Sequence, residues 1–275
     1  MIKRTISGLL GGLLVITVLI FNQSVPIAIN LFISLVCILT TYEIYGAMGI
    51  SKMFSLLIPS LVFTAILPVF GFGTVWKLSL YLYSLLMFCV MVIKRQAFSV
   101  KDVAVAYSMT LLITLSLNTI IELRNWSGNY SNFYVLLALA TSWMSDTGAY
   151  FSGKIFGKNK LCPDVSPKKT IEGAIGGVII SVLANLFICF IFEKFLFNPQ
   201  AYVNYPRVAI LVFFGAIFSI IGDLCFSMIK RSYQVKDFGS VIPGHGGVLD
   251  RFDSVIFVAP FVYCVAIHID LLRLI

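Results

Sequence analysis

The 275 residues are 59% hydrophobic and only 12% charged, with a mean hydropathy of +0.98; a soluble globular chain carries about 25% charged residues. Water is therefore not the main solvent of this protein, and an ordinary one- or two-domain soluble fold is excluded. The net charge of +8 fits either the positive-inside rule of membrane proteins or anionic partners. Its basic loops are not interleaved with aromatics as in a nucleic-acid platform, so no nucleic acid is expected. The lipid bilayer and phosphate-bearing ligands remain.

A helical membrane span needs about 20 apolar residues. Nine segments qualify, near 5–22, 25–46, 53–72, 78–93, 103–121, 133–152, 173–192, 208–229 and 253–272. Transmembrane strands would alternate over about ten residues, and runs such as 176–192 do not. The pattern predicts an all-α integral membrane protein with about nine transmembrane helices, forming one polytopic domain over 1–275. The first span follows Lys3 and Arg4 and has no A-x-A-like cleavage site after it, so a retained span is expected rather than a signal peptide. With the N-terminus in the cytoplasm, Lys52, Lys94, Arg95, Lys101 and the basic residues of both long later loops fall inside. Lys77, Arg124, Lys194, Arg207 and Arg273 fall outside, as the positive-inside rule favours, and nine spans leave the C-terminus outside. The six cysteines form no CxxC pair, so neither a disulfide framework nor a zinc site is indicated.

Acidic residues divide the chain. Residues 1–132 read as a helical scaffold whose first five spans hold one acidic residue, Glu43, near a cytoplasmic end. Residues 133–275 carry Asp146, Asp164, Glu172, Asp223, Asp237, Asp250 and Asp253 on the cytoplasmic side, around two long loops at 153–173 and 230–252. This half is where catalysis is expected. Loops longer than about 12–15 residues are functional or disordered when they lack secondary structure of their own.

Asp146 and Asp223 each lie about six residues before the inner end of a span, roughly 9 Å below the boundary. An intramembrane Asp costs about 2.5–3.5 kcal/mol, so each needs a counter-charge. Two readings stay open. One is a structural ion pair, for instance of Asp223 with Lys230 two turns along the same face. The other is a Mg²⁺ site, since that ion takes one or two carboxylates and fills its other positions with water and substrate phosphates. Asp250 and Asp253 are spaced i, i+3 at the start of the ninth span and so would share a face; the helix macrodipole would account for one of them. Gly244, Gly246 and Gly247 suit either a flexible turn or a nest of N–H groups facing an anion. The company of Lys236, Asp237, His245 and Arg251 favours the anion. His245 stays open between general base, phosphate donor and loop histidine, and His268 is expected to be packed within the last span.

Over residues 227–253, Ser227, Lys230, Arg231, Lys236, Asp237, Gly239, Pro243, Gly244, His245, Gly246, Gly247, Asp250, Arg251 and Asp253 fill every defined position of a known signature. The stretch resembles that of the phosphatidate cytidylyltransferases (CDP-diacylglycerol synthases). Ser145, Asp146, Thr147, Gly148, Gly153, Gly157, Ser166, Pro167, Lys168, Lys169, Thr170, Glu172 and Gly173 are similar to the same family's second motif. The likeness covers roughly 140–255, and the first 130 residues share only hydropathy. Many members have an acidic residue where this chain has Phe226.

The resemblance implies a homodimeric enzyme of the bacterial inner (plasma) membrane, with its active site facing the cytoplasm. It would join CTP to phosphatidate, giving CDP-diacylglycerol and pyrophosphate for phospholipid biosynthesis. The cofactor would be Mg²⁺ held by Asp223 and Asp250, with room for a second cation such as K⁺. A catalytic set of Asp223, Asp250, His245, Lys230, Arg231, Lys236 and Arg251 is then expected. Substrates would meet Ser166, Lys168, Lys169, Asp237, Gly246, Gly247, Asp146 and Asp253. The alternatives are a related membrane cytidylyltransferase or polyprenol kinase and, from another class, an ion-coupled transporter. A transporter would place its charges near the midplane between repeated halves, whereas these are off-centre and in one half.

Overall fold

The computed structural model describes residues 2–22, 24–71, 73–197, 201–242, 244 and 246–274, with the side chains of all but 2–10, 74 and 274. The chain is mostly helical and groups into two compact units, 1–122 with 233–252, and 123–232 with 253–275. Among the described residues, five segments are long and apolar enough to cross a membrane: Ile27–Ala47, Val75–Ile93, Val100–Phe156, Ile171–Leu196 and Tyr205–Ser232.

The first unit begins with α1 (Ile2–Phe21), α2 (Ile27–Ala47), α3 (Phe54–Phe70) and α4 (Thr74–Ile93), followed by most of α5 (Val100–Ser127). α2 packs on α3, and α3 on α4. One buried set of hydroxyls within this apolar bundle is mutually satisfied, as burial favours. The Tyr45 hydroxyl lies 2.6 Å from Ser60 Oγ and 3.3 Å from Thr110 Oγ1, and Tyr83 Oη lies 3.0 Å from Ser60 Oγ. The chain returns to this unit at 233–252, which ends in the single turn α9 (Leu249–Phe252). That segment, which the sequence groups with the second half, is tied to α2 by hydrogen bonds to Glu43.

The second unit takes the end of α5, then α6 (Ser131–Phe156), a hairpin of β1 (Lys160–Cys162) and β2 (Ser166–Thr170), and α7 (Ile171–Ile191). After β3 (Ala201–Val203) come α8 (Tyr205–Ser232), α10 (Val255–Ala266) and β4 (Leu272–Leu274). Its apolar core gathers Phe133, Leu137, Cys189, Leu211, Val258 and Val262, all buried. α6 and α7 meet along small residues. A Cβ on Gly148 would stand 2.7 Å from Ile180 Cβ, and one on Gly177 2.7 Å from the Ser145 carbonyl oxygen. Only glycine lets the two backbones come so close.

Three expectations need correction. The fold is not purely helical, because β1 pairs with β2 and β3 with β4, both antiparallel. The polar backbone of the 153–173 loop must find partners, and it does so within the hairpin and on Glu172. Secondly, the ninth predicted span is not one helix. α10 has only 12 residues, about 18 Å of rise against a hydrocarbon core of about 30 Å. The chain breaks before it at Asp253, whose Oδ1 accepts from Ser254 N at 2.8 Å and Ser254 Oγ at 3.3 Å; such local bonds compete with helix. Asp250 and Asp253 therefore do not share one helix face. Thirdly, His268 lies past the end of α10 and is exposed.

Candidate active site

In the second unit, three carboxylates come from three elements: Asp146 from α6, Asp223 from α8, and Asp253 from the turn before α10. Each has partners nearby. Lys169 on β2 forms an ion pair with Asp223, and Ser227 Oγ, one turn along α8, donates to Asp223 Oδ1 at 3.4 Å. Asp146 accepts from Ser254 Oγ at 2.9 Å and Ser219 Oγ at 3.4 Å. Lys230 Nζ stands 3.9 Å from Asp253 Oδ2. Asp253 is 5% exposed, whereas the Asp223 and Lys169 side chains keep about a quarter of their surface open (26% and 25%).

That opening leads into a cavity of about 390 Å³ lined by Asp146, Asp223, Ser166, Lys168, Lys169 and Tyr150, among others. The hairpin carries the lysines to it, and three sets of contacts hold the hairpin. Thr170 caps α7 by accepting from Gly173 N at 3.1 Å, the usual use of a threonine there. Glu172 accepts from Lys158 N, and from Asn159 N and Nδ2 at 3.1 and 2.8 Å. Arg231 Nε donates to the Val165 carbonyl at 3.3 Å. Phe226, where an acid is common in the signature, is fully buried and sits edge-on to Phe257. A larger cavity of about 580 Å³ lies elsewhere, between α8 and the end of α10, and its polar side chains are Arg207, His268 and Asp270. It holds no carboxylate cluster.

In the first unit, the glycine-rich turn is held by carboxylates of the protein itself. Asp250 Oδ2 accepts from Phe238 N and Gly247 N, both at 3.0 Å. Glu43 accepts from Val248 N at 2.9 Å and Leu249 N at 2.8 Å. The amides of residues 247–249 thus face two side-chain carboxylates. Gly246 adopts φ +82°, a conformation that costs glycine little. Lys236, Asp237 and Arg251 are exposed around this turn. His245 lies outside the described residues.

Sequence reasoning placed Asp146, Asp223, Ser166, Lys168 and Lys169 together, and all five line one cavity. It missed Glu43, Ser219 and Ser254. A lone glutamate near the end of an apolar helix was the available signal for the first; serines in spans carry none. As for the metal, no three His, Cys, Asp or Glu side chains among the described residues form a ready cage. Mg²⁺ does not require one. An all-oxygen donor set beside a cavity lined with lysines suits an ion that shares its coordination with phosphates.

Apolar helices around a cluster of carboxylates, lysines and hydroxyls define a multi-pass membrane protein with a charged cavity. Residues 2–268 match the sequence profile of the Cytidylyltransferase family. The phosphatidate cytidylyltransferase of Bacillus subtilis (strain 168) is 36% identical over 220 residues, spanning 79% of this chain and 77% of that one. That of Staphylococcus haemolyticus (strain JCSC1435) is 46% identical over 127 residues, 46% of each chain. That of Staphylococcus aureus (strain COL) is 38% identical over 169 residues, 62% of this chain and 61% of that one. The chain belongs to the cytidylyltransferase family.

Proposed function

We propose that this protein is a phosphatidate cytidylyltransferase, joining CTP and phosphatidate into CDP-diacylglycerol with release of pyrophosphate. The observation that carries the reading is the cavity where Lys169 meets Asp223 and Lys168 stands alongside. A phosphomonoester has its second pKa near 6 and is largely a dianion at pH 7, so the phosphatidate oxygen needs little deprotonation before it attacks the α-phosphorus. The obstacle is repulsion between two polyanions, and phosphoryl transfer is catalysed chiefly by positioning and charge neutralisation.

Lys168 and Lys169, with Ser166 beside them, take the nucleotide phosphates, and Lys169 exchanges Asp223 for phosphate as substrate enters. Lys230, Arg231, Lys236 and Arg251 neutralise the rest, while Asp146 and Asp253 orient the serines and Lys230. Asp237, Gly246 and Gly247 shape the turn that borders the substrates, and His245 donates to the departing pyrophosphate. Asp223 and Asp250 would hold Mg²⁺, which when bound offsets phosphate charge, with K⁺ as a candidate second cation.

The topology belongs to the same proposal: about nine crossings of the inner (plasma) membrane, the last made by α10 together with the non-helical chain that follows it, N-terminus and active site on the cytoplasmic side, C-terminus outside, as a homodimer. The distribution of basic residues supports the orientation, and the family resemblance supports the dimer.

The test is incubation of purified protein with phosphatidate, labelled CTP and Mg²⁺, with and without chelator. CDP-diacylglycerol and pyrophosphate are expected, and the chelator should stop both. Release of CDP would instead indicate a kinase and overturn the reading.

A further inference from the structure

We propose that Glu43, on α2 and outside both sequence motifs, is a positioning residue that sets Asp250 for its role in catalysis. The inference rests on the reading of Asp250 as a metal-holding carboxylate.

A four-residue helix such as α9 cannot sustain itself, because the first turn fixes several residues for a single hydrogen bond. Its leading N–H groups need acceptors from elsewhere. Glu43 provides them: Oε1 accepts from Val248 N at 2.9 Å and Oε2 from Leu249 N at 2.8 Å. The preceding amide, of Gly247, goes to Asp250 Oδ2, which also accepts from Phe238 N. Three consecutive amides are thus shared between two carboxylates, and the position of Asp250 depends on where Glu43 holds the backbone next to it. Glu43 is 4% exposed, and a buried carboxylate needs such donors.

The fit is close on both sides. A Cβ at Gly239 would stand 2.6 Å from Glu43 Cδ, and one at Gly247 2.7 Å from the same atom. Both glycines of the signature leave space that this glutamate fills. Two parallel N–H groups also need two acceptor atoms. Glutamine offers one acceptor and turns an NH₂ toward the other N–H.

The experiment compares wild type with Glu43→Gln, Glu43→Asp and Gly239→Ala, each purified in detergent. Readouts are kcat, KM for phosphatidate, the Mg²⁺ concentration giving half-maximal activity and, without substrate, the affinity for Mg²⁺ measured by isothermal titration calorimetry. Residues that support metal ligands typically change affinity or activity by about 10- to 100-fold. Glu43→Gln should therefore raise the Mg²⁺ requirement and lower kcat by about that range, with KM for phosphatidate little changed. Gly239→Ala should shift both in the same direction, because it displaces the carboxylate. The double variant should show less than the product of the two effects, and Glu43→Asp should recover part of the loss. Ser60→Ala, in the hydroxyl cluster of the same unit, controls for general destabilisation and should leave the Mg²⁺ requirement alone.

An unchanged Mg²⁺ requirement in folded Glu43→Gln overturns the proposal. If that variant does not fold, the same result in Gly239→Ala overturns it. A wild type that works fully without divalent cation sinks the metal reading itself, and this inference with it. A wild type that makes no CDP-diacylglycerol at any Mg²⁺ concentration counts against the assigned reaction instead.

Discussion

Lys169 of β2 is ion-paired with Asp223 of α8, while Lys230, on the same helix as Asp223, lies 3.9 Å from Asp253. Seven residues along a helix bring Lys230 back to the Asp223 face, but about 10 Å further along the axis. The hairpin delivers a lysine directly, so the tertiary contact wins. Asp223 is thus held by a charge on a different element from its own, in a cavity wide enough for a larger ligand.

Lys169→Met should separate the two tasks given to this side chain. Hydrogen bonds to charged groups contribute about 1.5–3 kcal/mol, so KM for CTP should rise about 10- to 100-fold. Because the change also removes the cation resting on Asp223, the Mg²⁺ requirement should stay level or fall. A raised Mg²⁺ requirement with unchanged KM would contradict the assignment. Lys168, which is exposed, should give a smaller rise in KM on change to alanine.

Asp223→Asn and Asp250→Asn should each lower turnover by at least about 100-fold, the lower end of the range for loss of a preorganised electrostatic group. Neither should disturb folding. At position 250 the amide oxygen can still accept from Phe238 N and Gly247 N, which the wild-type carboxylate serves with a single oxygen. Labelled-CTP turnover with a thermal-melting control checks this. Near-normal turnover in either variant removes that residue from the metal.

The residues legible in the sequence were those whose placement follows from helix geometry or from a compact motif. Asp146 and Asp223 come to one cavity because each sits near the end of a long span, and the helical rise is constant. Lys168 and Lys169 follow because the loop bearing them starts at the end of α6. Glu43 was not legible as a partner, since its bonds to Val248 and Leu249 cross more than 200 residues (205 and 206) and leave no local pattern. The i, i+3 reading of Asp250 and Asp253 assumed an unbroken helix, and Ser254 shows why it breaks: Asp253 bonds to its amide. The short strands escaped because Ser166–Thr170 has none of the alternation that marks a strand.

Gly148→Leu should test the α6–α7 seam without touching the chemistry. Its Cβ has no room beside Ile180, and overpacking typically costs about 1–3 kcal/mol. A lower melting temperature in detergent is expected, with activity per folded molecule nearly retained. A stable variant with normal melting would mean the seam is looser than its contacts indicate.

Glu172→Ala should act on substrate binding alone. Its carboxylate gathers the amides of Lys158 and Asn159 where α6 hands over to the hairpin, and it lies on no wall of the cavity. The contact is exposed, so folding should hardly change. The hairpin, however, carries Ser166, Lys168 and Lys169, and without its tether those side chains lose a fixed position. KM for CTP should therefore rise severalfold while kcat and the Mg²⁺ requirement hold. Glu172→Gln keeps one acceptor and should fall between the two. If kcat drops instead and KM stays constant, the hairpin is contributing to the chemical step and not merely to capture of the nucleotide.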